Sequence, residues 1–437
     1  MRRAVIALST AALLTTLTAC SSGGSGATGS GEPATVPTTR GEGKTLTVWV
    51  MDGDYTEPTL KAVNDAFTQA TGAQVDLQIQ QWEGITTKIS TALSTTGTPD
   101  VLDLGNTQVP GYAANGGLLD LTPYQADLQQ GRTWLAGLAE PATVDGALYA
   151  VPGFAGARAV IYNKKTWAAA GVTQAPSSYA ELTSALDKVK GANPAADFAP
   201  FYLPGQYWYA GLQFVWDAGG AIAAQSGTSW KGSFSSPEAQ KGLADFKTFQ
   251  NAYSTAASRT LDTLSPDQTQ LFADGKTSAI LATAGSIGLI QKANPQIKTE
   301  DIGTFPLPGT SGKNQPVMLG GSDWGIATKS DDHDLALQWT KIAASPAMQD
   351  KYVFGTDGWI PNSTEGIQAA QPSLSEQQKG FFTAALTSKA TPAAAQWPTV
   401  EGDKSVNQLF SSVASGAKSP AAAAAEFDAH LTSTLAG

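Results

Sequence analysis

The segment Thr45-Leu46-Thr47-Val48-Trp49-Val50-Met51 alternates apolar and polar residues and is rich in β-branched side chains, so it reads as a strand. It stops at the turn-forming Asp52-Gly53-Asp54. Leu60, Val63 and Phe67 then recur at helical spacing, and Gly72 marks the helix end. Alternation returns from Gln74 to Gln80 through Val75, Leu77 and Ile79. A second helix is predicted from Gly84 to Leu93, and a short strand from Pro99 to Gly105. Strand, helix, strand, helix, strand is the signature of an α/β fold with a mostly parallel sheet covered on both faces. In such sheets ligands lie beyond the C-terminal ends of the strands. That rule selects three loops: Asp52 to Asp54, Gln81-Trp82-Glu83, and Asn106-Thr107-Gln108.

The pattern continues through the chain. Ala157 to Tyr162 and Ser278 to Thr283 read as strands, and Asp301 to Pro308 as an extended segment closing on prolines. Helices are predicted over Ser178–Lys190, Pro237–Tyr253 (capped by Ser236), Asp334–Ala344, and from about Ser419 onward. Tyr207 to Ala218 is aromatic-rich. Gly320-Gly321-Ser322-Asp323-Trp324 reads as a glycine-rich loop before a strand from Gly325 to Ala327.

The N-terminus has a different character. Arg2 and Arg3 precede an uncharged, mostly apolar run from Ala4 to Thr18, the layout of a secretory signal peptide over residues 1–19. Leu17-Thr18-Ala19-Cys20 fits a bacterial lipobox, which makes Cys20 the expected lipidation site. It is the only Cys in the chain, so no internal disulfide can form. Residues 20–44 are rich in Ser, Gly, Thr and Pro and are expected to form a flexible, lipid-anchored spacer. The expected location is the extracytoplasmic face of the cell membrane, reached only through the lipid.

The remaining roughly 390 residues exceed what one hydrophobic core organises, so two lobes are expected. Loss of Arg2 and Arg3 with the leader takes the formal charge from −10 to −12, which argues against nucleic acid as a partner. Charged residues make up only 15% of the chain, against 11 Trp and 11 Tyr, a balance suited to a cleft for a neutral polar ligand. With two His and no Cys-His spacing, no metal or other cofactor is expected. No Gly-x-Ser-x-Gly elbow, Walker loop or dinucleotide fingerprint is present, and no catalytic residue is assigned.

Further motifs fall in a specific order: Thr98-Pro99-Asp100-Val101, Tyr112 to Leu121, Val151-Pro152, Val160-Ile161-Tyr162-Asn163-Lys164, Asp217 to Gly220, and Phe305 to Gly309 leading to Gly320-Gly321-Ser322. Together with the lipobox and the first three loops, this order resembles the extracellular solute-binding proteins of family 1, which include the maltose-binding proteins. Within that family it is most similar to actinobacterial binders of chitobiose or N-acetylglucosamine that serve ABC importers. The resemblance implies a two-lobed periplasmic-binding-protein-like fold of type II, with a sugar in the interlobe cleft. Three hinge crossings would fall near Gly153 to Ala157, Met318 to Gly321, and Gln371 to Glu376. Lobe 1 would comprise 45–154 plus 321–372, and lobe 2 157–318 plus 375–437. The implied partners are a sugar ligand and the permease subunits, with the chain itself a monomer. A secreted carbohydrate-active enzyme and a sensor lipoprotein without a transport role stand as alternatives.

The resemblance also implies a ligand set. Asp52 and Asp54 would accept sugar hydroxyl protons, or else form a turn pair. Trp82 would stack, with Glu83 beside it. Asn106 and Gln108 occupy a ligand loop, and Trp208 and Tyr209 are placed as stacking rings of the second lobe, with Tyr207 and Trp216 in the core. Asp217 would bind a hydroxyl or cap a turn. Arg158 would clamp the ligand or bridge the lobes. Gly321, Ser322 and Asp323 reach the cleft at the second crossing, and Trp359 is a further stacking candidate. Where many relatives carry Gly-Pro-Trp, this chain has Ala284-Gly285-Ser286, so Ser286 would replace a lost stacking ring.

Overall fold

The computed structural model describes residues 33–436. The signal peptide, Cys20 and the first part of the spacer lie outside the described residues. Residues 33–44, expected to belong to the flexible spacer, lie instead along the body. Ala34 N–H donates to Pro123 O at 2.8 Å and Val36 N–H to Asp127 Oδ2 at 2.7 Å, and the Val36 side chain is buried. Thr39 Oγ1 donates to Asp334, Gln338 donates to Thr39 O and Gly41 N–H to Thr71 O, so a series of contacts docks a stretch whose composition alone reads as free. Among the described residues, no helix is long and apolar enough to cross a membrane.

The opening segment folds as its pattern requires. Thr45–Met51 is a strand, parallel to Gln74–Gln80 in the register Thr45↔Gln74 to Met51↔Gln80. Between them, the helix Glu57–Thr71 buries Leu60, Val63 and Phe67. It ends on Gly72, whose φ of 79° is cheap only for glycine and whose N–H caps Thr68 O. Thr45–Met51 also pairs in parallel with Val101–Gly105. The sheet then changes character. Gly320–Ile326 runs antiparallel to both Val101–Gly105 and Ala150–Gly156, and Ile360–Pro361 closes the far edge. The six-stranded sheet is therefore mixed rather than mostly parallel.

The expected loop at Gly320 to Asp323 is the main local correction. These residues form a strand between two neighbours, with a register shift between Ser322 and Asp323. Glycine is required there by crowding: a Cβ on Gly321 would meet Phe154 O at 2.1 Å.

The second sheet is antiparallel, in the order Ala279–Thr283, Arg158–Asn163, Ile302–Phe305. The chain passes from the first sheet to the second between Gly156 and Arg158, with only Ala157 between the strands. Each sheet has its own core. Leu46, Val48, Phe67, Leu104, Trp324 and Trp339 pack in the first lobe, and Trp167, Phe214, Phe246, Phe249, Phe410 and Phe427 in the second. A third cluster (Ala155, Ala157, Ile161, Leu319, Phe381 and Phe382) joins them where the strands change sheets.

The predicted helices over 178–190, 237–253 and 334–344 appear as Tyr179–Ala192, Pro237–Tyr253 and His333–Ala343. Ser236 caps the second of these, accepting from Ala239 N–H at 3.2 Å. At the C-terminus, Ser405–Ser415 and Pro420–Thr434 pack into the second core through Phe410 and Phe427.

Candidate ligand-binding cleft

A cavity of about 400 Å³ opens where the two sheets meet. The first lobe supplies Asp54, which follows the strand Thr45–Met51, and Trp82, which follows Gln74–Gln80. Strand Ala150–Gly156 supplies Phe154, Gly320–Ile326 supplies Ser322, and Trp359 precedes the edge strand. Arg158 and Thr283 come from the second sheet. Trp82 is 42% exposed and lines the cavity, with its ring edge in the space a side chain at Gly105 would enter. Phe154 and Trp359 stack at 4.5 Å with 24° between planes, and Trp359 Nε1 donates to Asp54 O at 2.7 Å. The aromatic pair thus also fixes the loop that carries Asp54.

The polar floor of this chamber is acidic. Ser322 Oγ donates to Asp54 Oδ2 at 2.6 Å. Burial pushes the Asp54 carboxyl above its usual range, opposed by the Ser322 hydroxyl and the Trp82 indole. Behind it lies Asp103, fully buried, which accepts from Met51 N–H at 3.1 Å. Burial and then the Asp54 charge drive Asp103 well upward. A floor with neighbouring buried carboxyls holds a proton easily and accepts hydroxyl hydrogens readily.

A second chamber of about 650 Å³ adjoins the first and shares Arg158 and Thr283 with it. Trp208 and Tyr209 stack at 3.9 Å, and the Arg158 guanidinium lies 3.7 Å from the Tyr209 ring centre. Arg158 Nε donates to Tyr207 Oη at 3.1 Å. Among the described residues Arg158 forms no ion pair, so the reading of it as a salt bridge between lobes is set aside. Arg158 lines both chambers, and among the described residues its remaining N–H groups make no hydrogen bond. Gln108 and Thr86 reach in from the first lobe, and Ser286, Asn407 and Glu401 from the second.

Of the sequence-based candidates, Asp54, Trp82, Gln108, Arg158, Trp208, Tyr209, Ser286, Gly321, Ser322 and Trp359 therefore line the cleft. Five do not. Asp52 is exposed and borders a separate depression with Tyr55 and Ile79. Glu83 is exposed and lines neither chamber. Asn106 is buried, and its amide donates to Gly137 O at 3.2 Å and Leu319 O at 3.1 Å, so it is a brace. Asp217 caps another loop, accepting from Thr310 N–H at 2.7 Å and Ser311 Oγ at 2.5 Å. Asp323 is fully buried within its strand, one residue beyond Ser322 and so on the opposite face. Trp216 is core as expected, whereas Tyr207 is both core and chamber wall.

Phe154, Asp262 and Glu401 were not anticipated as site residues. Phe154 carries a signal, an aromatic three residues before the sheet change. Asp262 and Glu401 sit in loop and short-helix sequence with no periodicity that would single them out.

Comparisons with known proteins identify the family and the fold. The model of the family described as bacterial extracellular solute-binding protein matches residues 52–350. The diacetylchitobiose binding protein DasA of Streptomyces coelicolor is 35% identical over 400 residues, covering 90% of this chain and 90% of that protein. The sugar-binding protein MalE of Xanthomonas citri superposes with a TM-score of 0.78 at 23% identity, over 90% of this chain and 98% of that one. The MalE of Listeria monocytogenes in complex with maltose gives 0.75 at 17% identity, over 89% and 98%. These two structures share the two-lobed fold. From the family match and the extent of identity to DasA, the chain belongs to the bacterial extracellular solute-binding protein family.

Proposed function

We propose that this protein captures a sugar of more than one ring, without catalysis, and hands it to the permease of an ABC importer. The observation that carries this reading is the pair of adjoining chambers, each with stacked aromatic rings beside hydrogen-bonding groups and joined at Arg158. Sugar faces present C–H groups to rings, and sugar edges present hydroxyls to carboxyl, amide and guanidinium groups. A cleft shaped by two lobes suits capture by closure, with lobe 1 as 45–154 plus 321–372 and lobe 2 as 157–318 plus 375–437. The crossings at 153–157, 318–321 and 371–376 would serve as hinges. A lipid on Cys20 would keep the monomer at the extracytoplasmic face, where a permease can receive the load.

Diacetylchitobiose is the first probe, because DasA is named for it. Thermal-shift and calorimetric titrations should include diacetylchitobiose, N-acetylglucosamine, maltose and maltotriose. A ligand at 100 times its Kd should stabilise the protein by about 2.7 kcal/mol. A disaccharide should bind more tightly than its monosaccharide. A panel in which peptides or polyamines raise the melting temperature and no sugar does would overturn the proposal.

A further inference from the structure

In the second chamber, most charged side chains have visible compensation. Asp262 Oδ1 accepts from the backbone N–H of Leu264 and Ser265, both at 2.9 Å. Arg158 has Tyr207 Oη and the Tyr209 ring. Lys404 is exposed, and Asp403, beside it in sequence, is held by His430 Nε2 at 2.7 Å. Glu401 differs. It stands on the short helix Trp397–Gly402, lines the chamber, and accepts one hydrogen bond, from Trp397 Nε1 to Oε1 at 2.6 Å. Among the described residues no Lys, Arg or His forms an ion pair with it, and Oε2 accepts no hydrogen bond. Glu401 is half-buried at the chamber wall, so a ligand that displaces water from Oε2 must bring its own donor to a carboxylate with no counter-ion.

We infer that Glu401 is a specificity-determining residue: its ionised carboxylate accepts an N–H or O–H donor of the ligand in the second chamber and turns away ligands that bring a negative charge there. The inference rests on the proposed sugar reading of the cleft. It selects neutral or amino sugars over uronic acids, because an approaching carboxylate would face Glu401 at close range in a sheltered site. It also couples capture to a proton. Burial pushes the Glu401 carboxyl up to about 6, against the pull of the Trp397 N–H. The other charged and titratable groups lining the same chamber are Arg158 from the second sheet, Tyr207 and Tyr209 from the aromatic segment, Asp262 from its loop, and Lys404. Above about pH 7 the carboxylate is ready to accept. Well below 6 the ligand must displace a proton, and affinity falls with each unit of pH.

The test is calorimetric titration of diacetylchitobiose into the wild type and Glu401→Gln from pH 5 to pH 8. Wild-type affinity should fall about tenfold more than that of the variant between pH 7 and pH 5. Any contribution from Asp54 is common to both proteins, so the difference between the two profiles belongs to Glu401. Galacturonic acid should bind the variant better than the wild type at pH 7. Because the substitution removes an uncompensated charge, the ligand-free variant should melt no lower than the wild type at pH 8. Superimposable pH profiles, or a variant that melts lower, would overturn the assignment while leaving the sugar reading intact. Absence of binding by the wild type at every pH would overturn the sugar reading for this ligand and the inference with it.

Discussion

Arg158→Ala should weaken sugar binding by on the order of 100-fold while changing the stability of the ligand-free protein by no more than about 1 kcal/mol. Arg158 stands where the two chambers meet, so any ligand long enough to use both must pass it. Its Nε is spent on Tyr207 and its flat face on Tyr209, and its other N–H groups make no hydrogen bond among the described residues, so they are free for a ligand. Hydrogen bonds from a charged donor contribute about 1.5–3 kcal/mol each, and roughly 1.4 kcal/mol is a factor of ten in Kd. The ligand-free protein loses only one hydrogen bond and a cation–π contact, and no ion pair is broken. Calorimetry and thermal denaturation of the same variant separate the two effects. A variant with wild-type affinity would remove Arg158 from the site.

Gly242→Ala should destabilise the second lobe by about 2 kcal/mol or more, although alanine is the better helix former. Helix propensity alone favours alanine by up to about 1 kcal/mol. The added Cβ, however, would stand 2.4 Å from Val215 Cα and 2.7 Å from Phe214 O, on the facing helix Trp208–Asp217. Both are backbone atoms, so no side chain can rotate away, and the helices must separate. Phe214 packs against Phe246 and Phe249 across that interface, so separation loosens this aromatic packing. The control is Gly191→Ala, in the helix Tyr179–Ala192, where a Cβ meets nothing within 4 Å. There propensity should prevail and the variant should be as stable as the wild type or more so. Denaturant midpoints of the two variants should move in opposite directions. A shift of the same sign in both would show that steric crowding at Gly242 is not the deciding effect.

The first lobe was legible because its signals are local. Alternation in Thr45–Met51, the Leu60/Val63/Phe67 stripe and the stop at Gly72 each depend on near neighbours in sequence. The reading failed where a residue's role depends on a distant partner. Gly320-Gly321 looks like a loop until Phe154 O is seen where a side chain would stand. Parallel or antiparallel pairing in the second sheet is set by how the chain returns, which composition does not encode. The same division runs through the site. Trp82 is selected by its place after a strand end, whereas Arg158 and Tyr209 come only from the family resemblance; all three line the cavities. Asn106 and Asp217 look equally suitable as loop residues, and only their bonds to Leu319 O and Thr310 N–H show that they hold structure instead. Glu401 lay outside any pattern. Its significance comes from what fails to pair with it, which only a folded chain reveals.

In the proposed mode of capture, one sugar molecule spans both chambers across Arg158. The most direct measurement is a crystal structure of the complex with the tightest-binding sugar of the panel. The account predicts one ring beside Trp82, Phe154 and Trp359 near Asp54, the next beside Trp208 and Tyr209 within reach of Glu401, and the Arg158 guanidinium bonded between them. A sugar bound instead outside these chambers, for example between Trp216 and Trp230 in the separate pocket beside Ile222 and Lys389, would contradict it.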